Sequence, residues 1–258
     1  MSVRGKVFQH LRAAFEEAIE QELIAVNPAR AIRIKATAAS EDKRERATDK
    51  ALSEDEMLRF LAAASGDAMH PLLYLMFSLG VRRGEALGLR WRDVDFTTGA
   101  IRITQQAKTV KNSVVISPLK TKGSRRTLDA SPDLLDVLRE RRQTQHEQRD
   151  VLGDAWTDMG LVFTTSLGTP IHPRNVNRSI DRLCKLAGVR HFSSHAARHT
   201  MISNRLREGE KLEVVSVIAG HARPSITSDL YRTVFEDEKR AAVYSIAELQ
   251  ARKAKFTA

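Results

Sequence analysis

Residues 36–50 read Ala-Thr-Ala-Ala-Ser-Glu-Asp-Lys-Arg-Glu-Arg-Ala-Thr-Asp-Lys, a charge-dense stretch in which nothing larger than alanine is apolar. Such a stretch has no face to bury and reads as a linker over residues 36–51. It divides the 258-residue chain into a piece too short for a core of its own and a segment, 52–258, long enough for one substantial domain. In the short piece, Phe8, Leu11, Phe15, Ala18 and Ile19 recur at helical spacing, which predicts a helix over 7–26 that Asn27-Pro28 stops. One helix cannot form a domain.

The long segment opens with Ser53-Glu54-Asp55-Glu56, in which Ser53 can cap a helix and Glu56 can reach back to it. Pro71 suits the first turn of a helix through Phe77, and Gly80 marks a bend that presents Arg82 at the start of a shorter one. The period then changes. Residues 95–104 and 114–128 alternate β-branched with polar residues, with turns at Thr98-Gly99 and Lys122-Gly123-Ser124, so a small antiparallel sheet is expected. Helices resume at Ser131-Pro132-Asp133 and run through Leu134, Leu135 and Leu138 to near Asp150. Residues 161–164 read as a short extended segment. Further helices follow Pro173 up to Gly188, span 212–219 up to Gly220, and cover 236–251 with Ala242, Ile246 and Leu249 on one side. The fold class is α+β, mainly helical with a small antiparallel sheet.

Forty-two Lys and Arg against 32 Asp and Glu give a formal charge of +10, which favours an anionic partner such as nucleic acid. Between Ile171 and Lys211 nine basic residues face three acidic ones, and Arg174, Arg178 and Arg182 recur every four residues, a candidate groove-lining face. The single cysteine, Cys184, can form neither an intrachain disulfide nor a paired-cysteine zinc site, which suits a reducing compartment. The amino-terminal stretch is amphipathic rather than continuously apolar, and the apolar run 72–81 is too short for a bilayer. A soluble cytoplasmic protein with no membrane partner is expected.

Tyr231 stands ten residues after His221 in Gly220-His221-Ala222-Arg223-Pro224-Ser225-Ile226-Thr227-Ser228-Asp229-Leu230-Tyr231, downstream of His195-Ala196-Ala197-Arg198-His199 and of Gly80-Val81-Arg82-Arg83-Gly84-Glu85. Arginine offers a planar, permanently charged fork that fits phosphate oxygens two at a time, and histidine moves protons near neutral pH. Singly, each has a plain reading: Arg82 and Glu85 as a surface pair, His195 as a structural histidine, His221 as a cation at a helix C-terminus. Tyr74 reads as core, and Tyr244 has no histidine phrase before it. Taken together and in this order, the set resembles the tyrosine recombinase (phage integrase) family from about Pro71 to Tyr231, with a weaker likeness toward the N-terminus. The Gly-x-Arg-x-x-Glu phrase followed by Leu87, Leu89 and Trp91 matches the family's first arginine box. The His-x-x-Arg-His phrase matches the second, with Ala197 where leucine is usual. One residue more than is common separates His221 from Tyr231.

The resemblance implies a catalytic set of Arg82, Lys120, His195, Arg198, His221 and Tyr231, with Glu85 and His199 in support. The lysine belongs to the hairpin Pro118-Leu119-Lys120-Thr121-Lys122-Gly123-Ser124-Arg125-Arg126, where Lys120 matches the family's Lys-Thr phrase better than Lys122. Arg83, Lys122, Arg125, Arg126, Arg174, Arg178 and Arg182 are then expected against DNA. In the implied reaction Tyr231 attacks a phosphodiester as His195 takes its proton, and Arg82, Arg198 and His221 stabilise the charge on the non-bridging oxygens. Lys120 protonates the departing 5′-oxygen, leaving a 3′-phosphotyrosyl link that another strand's 5′-hydroxyl reverses without ATP, metal or cofactor. The implied partners are double-stranded DNA, a homo-tetramer on paired sites built from monomers, and an accessory directionality factor, in a bacterial or phage-encoded, nucleoid-associated setting. Within the family, the helix ending near Asn27-Pro28 is the last of a smaller DNA-binding domain. Residues 1–35 are therefore expected to be its remnant, without the preceding helices, and residues 52–258 to be the catalytic domain with a helical tail. Site-specific recombination or integration is the leading function. The alternatives are type IB topoisomerase-like relaxation and a truncated integrase that binds DNA without full strand exchange.

Overall fold

A computed structural model describes residues 3–32, 51–119, 124–220 and 227, and the chain divides into two compact units, 1–46 and 47–258. In the first, α1 (Val3–Glu20) stops six residues before the expected end. Glu22 takes a left-handed φ of 57°, and the amides of Leu23 and Glu22 turn back to the carbonyls of Ala18 and Ile19. The segment after it is tied along the helix. Arg12 donates to the carbonyls of Ala29 (2.9 Å) and Arg30 (2.6 Å), and buried Asn27 donates to the Arg12 carbonyl and to Glu16. Glu16 also holds Arg30 at 2.8 Å. Asn27 therefore fastens a return strand of chain, in addition to preceding the proline.

The second unit begins with α2 (Glu54–Ala64), whose Ser53 and Glu56 form the expected reciprocal cap. It is followed by α3 (His70–Leu79) and the short α4 (Arg83–Leu87). Four strands come next, β1 (Ala100–Ile103), β2 (Gln105–Val110), β3 (Ser113–Pro118) and β4 (Arg126–Asp129). All pairing is antiparallel: β2 with β3, Ala107 opposite Ile116, and β1 with β4, Ile101 opposite Leu128. The two pairs are halves of one bent hairpin, bridged by the bond from the Leu119 amide to the Thr104 carbonyl (3.1 Å). The tip lies at Lys111-Asn112, both with positive φ (46° and 68°), as a tight two-residue hairpin turn requires. Of the expected turns, Thr98-Gly99 is present, with Gly99 at a φ of 77°, and Lys122-Gly123 lies outside the described residues; strand β2 was not expected.

Helices α5 (Pro132–Leu152), α6 (Pro173–Ala187), α7 (Ser194–Arg207) and α8 (Leu212–Ala219) complete the described unit. Ser131 precedes α5 but makes no side-chain cap bond. Gly188 and Gly220 close α6 and α8 with left-handed φ of 62° and 65°, as expected. Residues 161–164 make only isolated bridges, to Arg90 and Pro170. The core gathers α2, α3, α6 and α7 around Phe60, Phe77 and Phe192, with the Phe60 and Phe192 rings edge to face at 4.8 Å. A smaller cluster, Met201, Ile202, Leu206, Val215 and Ala219, packs α8 on α7. Among the described residues no helix is long and apolar enough to cross a membrane. The expected helix over 236–251 lies outside the described residues.

Candidate active site

The site is built on the bend between α3 and α4. Gly80 ends α3 with φ 60°, a conformation that side chains disfavour, and a Cβ there would meet Met201 of α7. Two residues later Arg82 stands in extended backbone at the entrance to α4. Glu85, one turn into α4, folds back: its Oε2 accepts the Arg82 backbone N–H (2.9 Å) and its Oε1 accepts Nη1 of the Arg82 guanidinium (2.8 Å). The Arg82 side chain keeps 39% exposure while Glu85 keeps 1%. Nη2 of Arg82 reaches the Gly220 carbonyl at 3.3 Å. A buried carboxylate therefore aims an accessible guanidinium, and the two are not a surface pair.

A second guanidinium completes the shell of Glu85. Arg126 donates to Oε2 at 2.9 Å, with its own side chain 5% exposed. Burial pushes the Glu85 carboxyl up, but the hydrogen bond and charge of Arg126, followed by the bonds from Arg82, outweigh it and hold the group below the usual carboxylate range. Glu85 is thus a fixed negative charge between two arginines.

The next contribution comes from α7. His195 is exposed in its first turn, and Arg198, one turn on, is buried and donates from Nη1 to the Gly80 carbonyl at 2.9 Å. Arg82 and Arg198, 116 positions apart, are both fastened to the same short bend and its continuation. His199 is half-buried beside them in sequence, and fully buried Thr200 accepts the Leu52 amide at 2.8 Å, anchoring the start of the unit on α7. Lys120, Lys122, His221 and Tyr231 lie outside the described residues. Gly220, the residue before His221, is described, and its carbonyl is the one that Arg82 contacts. Tyr74 packs beside the core with its hydroxyl donating to Asp133 at 2.5 Å, and that bond pushes its pKa up to about 12. Such a phenol is a poor nucleophile near neutral pH.

The basic residues expected against DNA take different positions. Arg174 and Arg178 are exposed on α6, whose other side buries Val176, Ile180, Leu183 and Cys184. Arg182 is exposed too, but it is ion-paired with Asp67. Arg83 donates to Asn177 of α6 at 2.6 Å, and burial lowers its pKa. Arg125 is exposed, whereas Arg126 points inward, contrary to the expectation of an outward phosphate contact. The period of the strand explains this, since Arg126 and buried Leu128 share one face of β4. Two glycines of the same region carry a role the sequence reading did not assign. A Cβ at Gly84 would lie 2.8 Å from the Ala107 carbonyl oxygen, and one at Gly88 2.8 Å from the Gln106 Cα, so α4 rests backbone to backbone on β2. Their four-residue spacing was the available signal. Among the described residues no cluster of three or more His, Cys, Asp or Glu is arranged to hold a metal ion.

Comparison with known proteins adds a lineage to this geometry. The profile of the phage integrase family matches residues 50–238. A tyrosine recombinase XerC-like protein of Caldanaerobacter subterraneus subsp. tengcongensis is 31% identical over 251 residues, covering 93% of this chain and 64% of that protein. An integrase of Streptomyces ambofaciens is 29% identical over 193 residues, 71% of this chain and 49% of its own. The chain therefore spans between about half and two thirds of the length of these relatives. Among solved structures, the Tn1549 transposon integrase in complex with transposon right-end DNA superposes with a TM-score of 0.66 at 18% identity, covering 100% of this chain and 81% of that one. XerA recombinase superposes with a TM-score of 0.61 at 19% identity, covering 95% and 78%. At these identities the structures speak for the fold.

Proposed function

The chain belongs to the phage integrase family, and on that premise we propose that it is a site-specific DNA recombinase or integrase that cuts and rejoins strands through a 3′-phosphotyrosyl intermediate. Tyr231 is the nucleophile and His195 shares its proton as attack develops, since a phenol with an ordinary pKa near 10 attacks slowly. Arg82 and Arg198 clamp the non-bridging oxygens as charge grows on them, and His221 adds a hydrogen bond. Lys120 supplies the proton to the 5′-oxygen that leaves. Glu85 and His199 support the site. The substrate is double-stranded DNA, and Arg83, Lys122, Arg125, Arg174 and Arg178 meet its backbone. Residues 52–258 are the catalytic domain, 36–51 the linker, and 1–35 the last helix of a preceding DNA-binding domain. Assembly proceeds from monomers to a homo-tetramer on paired sites in the bacterial cytoplasm, with an accessory factor setting direction.

The observation that carries this reading is the fastening of Arg82 and Arg198 to one bend: Arg198 holds the Gly80 carbonyl, and Arg82, two residues on, is aimed by buried Glu85 while remaining accessible. Two cations that share one bend suit a single phosphodiester, which presents paired oxygens to planar forks. The test is covalent trapping on a library of nicked duplexes of randomised sequence, which also reports the target. The unaltered chain is expected to yield a protein–DNA adduct and Tyr231→Phe none, with DNA affinity within about twofold because only a hydroxyl is lost. An adduct from Tyr231→Phe equal to that of the unaltered chain overturns the assignment. Relaxation of supercoiled plasmid by monomers, without exchange of flanks, would move the reaction to the topoisomerase class.

A further inference from the structure

Arg126 opens β4 and turns inward, and all three of its guanidinium nitrogens have described acceptors. Nη2 donates to Glu85 Oε2 (2.9 Å), Nε to the Ile218 carbonyl in the last turn of α8 (2.8 Å), and Nη1 to the Ser124 carbonyl (3.2 Å). The group lies flat against Gly220: a Cβ added there would sit 2.8 Å from Nη1 and 3.0 Å from Cζ. Glycine at 220 is thus required by its left-handed φ and by the guanidinium above it. With its three guanidinium nitrogens engaged on a carboxylate and two carbonyls, Arg126 is committed to the protein frame.

We infer that Arg126 is a positioning residue of the cleavage site, a bracket that locks the Glu85 carboxylate to the end of α8. The inference rests on the recombinase reading above. Arg82 contacts both Glu85 and the Gly220 carbonyl at the end of α8, so the bracket sets the separation of the two partners that aim Arg82 at the phosphate. The fork is what makes this possible. Arginine holds donors in one plane and at fixed angles, and here it spans a carboxylate and two carbonyls at once, whereas a lysine ammonium is a point charge on a flexible stem. The ends of helices also favour cations at their exposed carbonyls, and two arginines meet the C-terminus of α8, Arg126 at Ile218 and Arg82 at Gly220. Without Arg126, Arg82 is the one link among the described residues between that end and Glu85, and it must then serve the phosphate and hold the frame together. A residue that merely supported the fold would change stability and leave the folded fraction's rate alone.

The experiment uses the full chain and a duplex selected by covalent trapping from the randomised nicked library. Arg126→Ala, Arg126→Lys and the unaltered chain are compared by single-turnover cleavage at temperatures where circular dichroism shows each folded, and by DNA affinity across salt. Both variants are expected to bind within about twofold of the unaltered chain, with the same salt slope, while cleavage falls at least about thirtyfold. Methylguanidinium should return at least about fivefold to Arg126→Ala and nothing to the unaltered chain. Cleavage by folded Arg126→Lys within threefold of the unaltered rate would overturn the inference, and so would a loss of affinity with a shallower salt slope, which marks a phosphate contact. If Arg126→Ala does not fold, Arg126→Lys decides by the same criteria. Absence of any adduct from the unaltered chain would overturn the recombinase reading and this inference with it, whereas an adduct with insensitive Arg126 variants overturns the bracket alone.

Discussion

Arg174 and Arg178 stand on α6 with their guanidinium groups in solvent, whereas Arg126 and Arg198 carry the same group into the interior beside Glu85 and Gly80. Among the described residues no ion pair holds the exposed pair, which is suited to tracking a phosphate backbone, where charge matters more than angle. The interior pair is held by carbonyls and a carboxylate at 2.8 to 2.9 Å, and so gives direction. On the proposed reading, one residue type divides its work between affinity and aim. Burial, more than sequence identity, decides which task falls to each copy.

The division can be broken most forcefully at Glu85. Glu85→Ala leaves Arg126 buried without its carboxylate, and removing one partner of a buried pair costs about 3–5 kcal/mol, readable by urea denaturation at neutral pH. A loss below about 1 kcal/mol would mean that the network contributes little to the fold. Its pH dependence has a definite sign. Because the folded-state pKa of Glu85 is depressed, its contribution is whole above the unfolded value of about 4.3 and is lost as pH falls through the lower folded value. The stability gap between the unaltered chain and Glu85→Gln should therefore narrow below about pH 4. A gap that widens there would reverse the assignment of Glu85 as a held anion.

Next in size is aim itself. Arg198→Ala should slow single-turnover cleavage by about 10²–10³-fold, as loss of one transition-state donor does elsewhere, with binding nearly unchanged. A change under tenfold would remove Arg198 from the chemistry. Smaller again is the exposed face: replacing Arg174 or Arg178 should reduce the slope of log affinity against log salt by about one each and leave the cleavage rate constant alone. Arg182, already paired with Asp67, should reduce it less. Equal effects from all three would show that the Asp67 pair opens on binding. The smallest effect, about 1 kcal/mol of stability with no change in cleavage, is expected for Ser53→Ala, which removes the cap of α2 from neither region.

What the sequence made legible was local or ensemble in character. The Ser53 and Glu56 cap, the glycine ends of α6 and α8, the mainly helical class and the family were all carried by short patterns. The turn at Lys111-Asn112 was hidden because neither residue is glycine, although both take positive φ there. The early end of α1 was hidden for a related reason, since its left-handed residue is Glu22 and its return path is set by Arg12 and Asn27, 15 positions apart. The misreading of Arg126 has a different origin. A run of basic residues suggests a solvated tip, and only the two-residue period shared with Leu128 says that one of them faces inward.

The contact of α4 with β2 also sets the mutational freedom of this neighbourhood. At 84 and 88 the obstructing atoms are main chain on the opposing strand, which has no rotamer with which to yield. A saturation library should show these two columns as nearly empty beside tolerant neighbours such as exposed Arg92. For an engineer the same lock is a fine adjustment: Gly84→Ala alters no chemical group, yet it would lift the helix that begins beside Arg82 by a fraction of a bond length. Reach could then be tuned apart from reactivity.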